Sequence, residues 1–324
     1  MGRTVLGTPV AVTSNVSRIA TVLCLSAGCL PHPGGFASNP PVANGDDMSF
    51  SAPQAVTIAG YGSDAMEPFV TRDGALLLFN DRNDPATDTN LFVASYVDAL
   101  DFQLVGPIAG ASSTSLDAVA SVDTLGELVF VSTRSYDQTL STIYRAAFAG
   151  GSASDVALIP GVSRDQATAV NFDAEISADG SELYFVDGVI EPGAAAPSEA
   201  DLVIADRDGS GFVRRADSAA IFANVNSTAL EYAPATTADQ LELFFDRFDP
   251  ATDTVPSIYH ATRASTAEPF GVPARVAATG NNLVEGATVS PDGLALYYHQ
   301  LDGDRYDLYR ITRAAPAALR DPVR

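Results

Sequence analysis

"SPDGLALYYHQLDGDRYDLYRITR", Ser290 to Arg313, decides the fold. It holds a Pro-Asp-Gly turn, an apolar run, a polar loop and a second apolar run, the signature of two strands joined through turn chemistry. The stretch is either a terminal hairpin or one copy of a repeat. Earlier versions settle this: "DGALLLFNDR" from Asp73, "LGELVFVSTR" from Leu125, "DGSELYFVDG" from Asp179 and "DQLELFFDRF" from Asp239. The apolar runs end at Phe79, Val131, Phe185, Phe245 and Tyr298, at intervals of 52, 54, 60 and 53 residues.

Each unit carries further strand signals. A first strand precedes the turn, as in "EPFVTRD" from Glu67, "DAVASVD" from Asp117 and "DAEISAD" from Asp173. A third follows the loop, as in "NLFVAS" from Asn90, "TIYRAA" from Thr142, "DLVIAD" from Asp201, "SIYHAT" from Ser257 and "DLYRIT" from Asp307. A fourth is weaker and opens on Phe, at Phe102, Phe212 and Phe270. The second strands are apolar on both faces, as befits sheets sandwiched between neighbours. The expectation is an all-β chain: a five-bladed β-propeller of four-stranded antiparallel blades. The last unit lacks a good fourth strand, and "FSAPQAVTIAG" from Phe50 is expected to supply it and close the ring. A faint strand signal at Leu319–Val323 is the competing candidate.

These motifs, with "EPFGVPARV" from Glu268, resemble the Pro-Asp-type, WD-like β-propeller repeat found in TolB-like and other exported bacterial proteins. The resemblance covers Phe50 to Arg313. It implies binding or scaffold roles at the cell envelope more often than catalysis.

Composition narrows the partners. The net charge is −22, and all 18 basic residues are Arg. Polyanions are repelled, so neither nucleic acid nor an anionic membrane surface is expected as a partner. Without Lys there is no Schiff-base chemistry. At the N-terminus, Arg18 precedes an apolar stretch, small residues and Cys29, which reads as a signal peptide over residues 1–29. Ala27-Gly28-Cys29 is similar to a lipoprotein signal, although Ser26 stands where that motif has Leu. Lipidation at Cys29 and ordinary secretion both stay open, and residues 30–48 read as a flexible tether before a domain over 49–324. No membrane span is expected in the mature chain, which is expected to be an exported monomer, periplasmic or cell-surface.

Propeller ligands meet the channel where the first strands converge. Five acids open or flank those strands: Glu67, Asp117, Asp173, Glu231 and Glu285. They are candidates for a channel-mouth ring that binds a ligand or supplies an acid–base pair. Recurrence in every unit also suits an architectural role. Arg82, Arg134 and Arg247, at the ends of second strands, are expected to pair with a neighbouring blade. The near-identical loops "DRNDPATDTN" and "DRFDPATDTV" offer Asp84, Asp88, Asp249 and Asp253 as weak calcium candidates; no other metal or cofactor is expected. His260 and His299 lie on strands of adjacent units. The leading functional expectation is a non-catalytic platform for an envelope protein or glycan. The alternative is a glycoside hydrolase-like enzyme, with Asp117, Asp173 and Glu231 as its first residues to test.

Overall fold

The computed structural model describes residues 49–83, 88–191 and 197–314. The leader, the tether, Cys29, Asp84 and Leu319–Val323 lie outside them. The chain is all-β. Two short strands open it, β1 (Gln54–Ala55) and β2 (Thr57–Ala59). Unit one is β3 (Met66–Val70), β4 (Leu76–Asn80), β5 (Leu91–Tyr96) and β6 (Asp101–Pro107). Unit two is β7 (Asp117–Val122), β8 (Glu127–Ser132), β9 (Ile143–Ala149) and β10 (Ser152–Leu158). Unit three is β11 (Ala169–Ile176), β12 (Glu182–Val189), β13 (Glu199–Asp208) and β14 (Gly211–Arg214). Then follow β15 (Leu230–Thr236), β16 (Glu242–Phe248), β17 (Ser257–Thr262) and β18 (Ala274–Arg275). The last unit is β19 (Val284–Val289), β20 (Ala295–Asp302) and β21 (Arg305–Thr312).

Within each unit consecutive strands pair antiparallel. Units three and four share one sheet through a single parallel pairing, Ala200 with Leu230. The Phe50–Ala59 segment does two jobs rather than the one expected. Its β1 pairs antiparallel with β21, and Phe50 bridges Arg313. Its β2 turns away and pairs parallel with β6 of unit one. The outer strand of unit two, "SASDVAL", lacks the Phe that marks the fourth strands placed from the sequence.

The second strands are buried on both faces, from Leu77–Phe79 to Leu296–Tyr298. The apolar clusters explain why. Each large one joins neighbouring units: Phe69 and Leu78 share a cluster with Leu128 and Phe130, Phe79 shares one with Tyr297 and Leu308 of the last unit, and the largest runs through units two, three and four. No unit hides both faces alone, so burial drives the units together. The first strands face one another at the centre: β3 touches β7, β7 touches β11, β11 touches β15, β15 touches β19, and β19 touches β3.

Four of the five turns share one pattern of hydrogen bonds. Asp73, Asp179, Asp239 and Asp292 each accept a hydroxyl hydrogen bond from the residue two before and an N–H from the residue two after. These bonds hold Asp73, Asp179 and Asp292 below the usual carboxylate range. The third strands of the last three units are each followed or ended by an arginine: Arg207, Arg263 and Arg313. Each donates to its own turn carbonyl, at Gly180, Gln240 and Gly293. Arg207 and Arg313 then reach Glu127 and Glu242 at the second strand of the preceding unit, while Arg263 reaches Tyr184, which donates to Glu182.

Candidate active site

Every first strand breaks its register once. The slips fall between Met66 and Phe69, Ala118 and Ser121, Phe172 and Glu175, Tyr232 and Ala235, and Glu285 and Thr288. In each slip one residue has left-handed backbone: Glu67 (φ 49°), Val119 (53°), Asp173 (47°), Ala233 (49°) and Gly286 (65°). These are β-bulges, which re-aim side chains and recur beside active sites. Four of the five are not glycine. Each such position stores on the order of 1–3 kcal/mol of strain, tolerated where the surroundings over-determine it. The bulges and the residues after them line one central pocket of about 30 Å³.

This register sorts the five sequence candidates into separate groups. Only Glu67 and Asp173 sit on the bulges and line the pocket. Asp117 and Glu231 stand two residues earlier, fully buried and closed off. Asp117 holds Arg134 at 2.6 Å and accepts from the N–H and hydroxyl of Ser113; Glu231 holds Arg247 at 2.7 Å and accepts from both groups of Ser227. Glu285 stands one residue before its bulge, at the core of a third group. The single five-membered ring expected from the sequence is therefore corrected. The chain slips register between units, so equal distance from the turn does not mean equal place.

The arginines are corrected too. Arg134 and Arg247 pair with carboxylates of their own unit and donate to their own unit's approach, at Ala111 and Val225. Arg82 does the same with Asp64 at 2.7 Å, and alone of the three also reaches across, to the carbonyl of Asp304.

The third group lies beneath the bulges. Glu285 accepts a 2.5 Å hydrogen bond from the Tyr232 hydroxyl, and its other oxygen is 3.6 Å from His299 Nε2. Asp246 accepts the N–H of Gly286 at 2.7 Å, and Asp173 accepts that of Ala233 at 3.1 Å. The bulge N–H of Glu67 donates to His299 Nδ1 at 3.2 Å, which puts the ring proton on Nε2, facing Glu285. Asn80, Asp246 and His299 occupy the same register position on their second strands. Each accepts the bulge N–H of the following unit, Asn80 that of Val119. Gly286 suits this crowded position, since a Cβ would strike the Glu67 carboxyl and lie 3.0 Å from His299 Nδ1.

Burial governs the electrostatics. It pushes the Asp173 carboxyl up to about 7, against the lowering effect of the Ala233 hydrogen bond. Asp246 is raised well above the carboxylate range by burial and by the charge of Asp173. Glu285 is raised likewise by burial and by Asp246. Asp173 Oδ1, Asp246 Oδ1 and Glu285 Oε2 have no hydrogen-bond partner among the described residues. Burial therefore favours the protonated form of these carboxyls, whereas Asp117 and Glu231 each have a guanidinium partner. Glu175, further along the same pocket, pairs with Arg72 at 3.2 Å.

Asp246, His299 and Tyr232 were not singled out as site residues from sequence. The signal for Asp246 and His299 was present: a polar residue closing an apolar second strand, as Asn80 does. His260 does not join His299; it bonds Glu242 at 2.8 Å against Phe244. In the calcium-candidate loops Asp88 is exposed, and Asp253 and Asp249 accept turn N–H groups. No group of three or more metal-ligating side chains occurs among the described residues.

No protein-family profile matches this chain, and no curated protein matches it in sequence. Solved structures do. A glycoside hydrolase superposes with a TM-score of 0.56 at 12% identity, covering 83% of this chain and 93% of that one. A family 117 glycoside hydrolase from the marine bacterium Zobellia galactanivorans gives 0.55 at 10% identity, covering 86% and 94%. A thermostable family-43 glycoside hydrolase gives 0.51 at 13% identity, covering 83% and 98%. The fold is a β-propeller. At such identities the likeness speaks to fold alone. The comparisons support a β-propeller but not the Pro-Asp-type, TolB-like repeat family expected from the motifs. Among the described residues no helix is long and apolar enough to cross a membrane.

Proposed function

We propose that the chain is a five-bladed propeller whose last blade is completed by β1, and that its channel carboxyls act as a glycoside hydrolase-like acid–base pair. The single observation that carries this reading is the pairing of Glu67 and Asp173 on equivalent bulges of one pocket. The backbone there repeats five times, but the side chains do not. Val119, Ala233 and Gly286 fill the other three places, so the two acids are not a requirement of the fold.

Asp173, pushed up to about 7, is half protonated near neutral pH, the condition a general acid needs. In this reading it gives its proton to the glycosidic oxygen as the leaving sugar departs. Glu67 takes the second carboxyl's part and activates the attacking water. The pocket has room for about two waters, not a sugar ring, so the saccharide lies across its mouth. Glycoside hydrolases among the fold neighbours support this substrate class over a protein partner. In this reading the enzyme is an exported monomer, periplasmic or cell-surface, and the signal-like sequence before Cys29 supports export, with lipidation at Cys29 as one route.

A second reading, a non-catalytic glycan-binding platform, is favoured by the narrowness of the pocket alone. Aryl glycosides and neutral polysaccharides offered to the full chain separate the two. The hydrolase reading expects turnover with a pH optimum, and a loss of roughly 10²–10⁴-fold in kcat on Asp173→Asn or Glu67→Gln. Glycan binding without turnover, equal in both variants, would leave the platform.

A further inference from the structure

A second cavity lies outside the ring of first strands, where the N-terminal segment passes from the last unit to the first. Its volume is about 350 Å³, and its lining includes Tyr61, Ser63, Asp302, Arg305, Asp307 and Tyr309. We infer that this seam cavity binds a neutral saccharide, independently of any chemistry in the channel. Its size falls in the range of small-molecule sites, roughly 300–1,000 Å³, and suits about one to two sugar rings.

The lining chemistry selects the ligand class. Arg305 is engaged by Asp307 at 2.7 Å, and Asp302 accepts from the Tyr309 hydroxyl at 3.2 Å. Among the described residues the one guanidinium lining the cavity is thus already engaged, facing two carboxylates, so phosphate, sulfate and uronate groups are repelled. Each carboxylate retains acceptor sites that its single partner does not fill. Sugar hydroxyls supply the donors that match them. Two aromatic faces are fixed in place beside these acceptors. Tyr61 is wedged edge-on against Phe79 with centroids 4.9 Å apart, its hydroxyl donating to Asp64 O at 2.8 Å. Tyr309 stacks on Tyr298 at 6.2 Å. Rigid aromatic rings lose little freedom on binding, which is how shallow polar sites hold the apolar face of a sugar. One wall is the backbone of the segment joining β1 to β2, so an occupant would touch both ends of the domain and stabilise their junction.

The test is calorimetric titration and thermal melting of the full chain with cellotriose, xylotriose and maltotriose, with tri-galacturonate and a tri-arginine peptide as contrasts. At least one neutral trisaccharide is expected to bind and raise Tm. Ser63→Trp, which fills the cavity from an exposed position, is expected to weaken binding at least tenfold with Tm of the free protein unchanged. Tyr309→Ser serves as the second variant should Ser63→Trp lower Tm, with the same loss expected. Glu67→Gln is expected to bind as wild type, which separates this site from the channel whatever happens to turnover. Binding of tri-galacturonate or tri-arginine alone, no binding of any neutral trisaccharide, or full binding by both cavity variants would overturn the inference.

Discussion

Asp117 and Asp246 are both fully buried carboxyls near the propeller axis, and they are kept there by opposite means. Asp117 has a cationic partner: it pairs with Arg134 and accepts from Ser113 at the start of its strand. Asp246 has no cationic partner among the described residues: burial raises it well above the usual carboxylate range, one oxygen accepts Gly286 N–H and the other has no hydrogen-bond partner there. The first arrangement, repeated with Glu231–Arg247, makes rigid scaffold. The second, shared with Asp173 and Glu285, leaves protons that can move. The lesson is that a carboxylate's role is set by what compensates its charge, not by its burial or its place in the repeat.

The hardest blow to this contrast is removal of one ion-pair partner. Asp117→Ala strands the Arg134 guanidinium, and is expected to cost about 3 kcal/mol, the low end for a buried pair because Arg134 is partly exposed. Asp246→Asn keeps the shape and one acceptor for Gly286 N–H, and is expected to be neutral or stabilising at pH 8. Urea unfolding of both variants measures the difference. Equal losses would erase the distinction between the two groups.

Next in size is the pH response. Asp173, Asp246 and Glu285 have folded pKa values above their unfolded ones, so the folded state binds more protons at intermediate pH. Their contribution is fully present below the unfolded carboxylate range and is lost as pH rises toward the folded values, through about 7 for Asp173. Stability is therefore expected to fall by a few kcal/mol between about pH 4 and pH 7, and Asp173→Asn to flatten that slope. A wild-type curve that rises over the same interval would mean the cluster is ionised and compensated by something else.

The scaffold half of this contrast was largely legible in sequence. The turn aspartates, the doubly apolar second strands and the fifty-odd-residue period all follow from short-range chemistry that the chain repeats. The arginine seam was legible as well, in "ADR", "ATR" and "ITR", once each third strand was read one residue further. The site was legible only in part. Spacing from the turn put Glu67, Asp117 and Asp173 at one distance, but only Glu67 and Asp173 of the three sit on bulges, because a bulge is a backbone feature with no fixed residue. Val119, Ala233 and Gly286 share a conformation that nothing in their side chains announces. The cluster of Glu285 with Tyr232, Asp246 and His299 is assembled across two units, and such contacts are invisible to any single strand's pattern.

Gly286 tests whether the bulge itself is what holds the cluster together. Gly286→Ala combines a left-handed backbone with contact against Glu67 and His299, and is expected to cost about 1–3 kcal/mol. The bulges at Val119 and Ala233 show that a Cβ tolerates this backbone, so the excess over a plain strained position reports the crowding. Circular dichroism melts and the His299 ring resonances measure the two effects separately. A melt like wild type with unmoved His299 signals would show that the cluster has slack.

The smallest effects belong to the turn hydroxyls, and they sharpen the comparison between repeat and exception. Ser290 donates to Asp292 at 2.6 Å and accepts Ala295 N–H at 2.8 Å near the surface, so water replaces much of what Ser290→Ala removes; about 1 kcal/mol or less is expected. Ser121 holds the corresponding position in unit two, but its hydroxyl turns inward. It donates to Ala174 O at 3.1 Å and accepts Ile176 N–H at 3.0 Å, both in unit three and both buried. Ser121→Ala strands those groups where water does not reach and is expected to exceed Ser290→Ala by about 1 kcal/mol. Thermal melts of the pair decide it: equal losses would mean the seam beside Asp173 admits water, and the burial that keeps that carboxyl protonated would then have to be less complete than the packing of Ala174 and Ile176 implies.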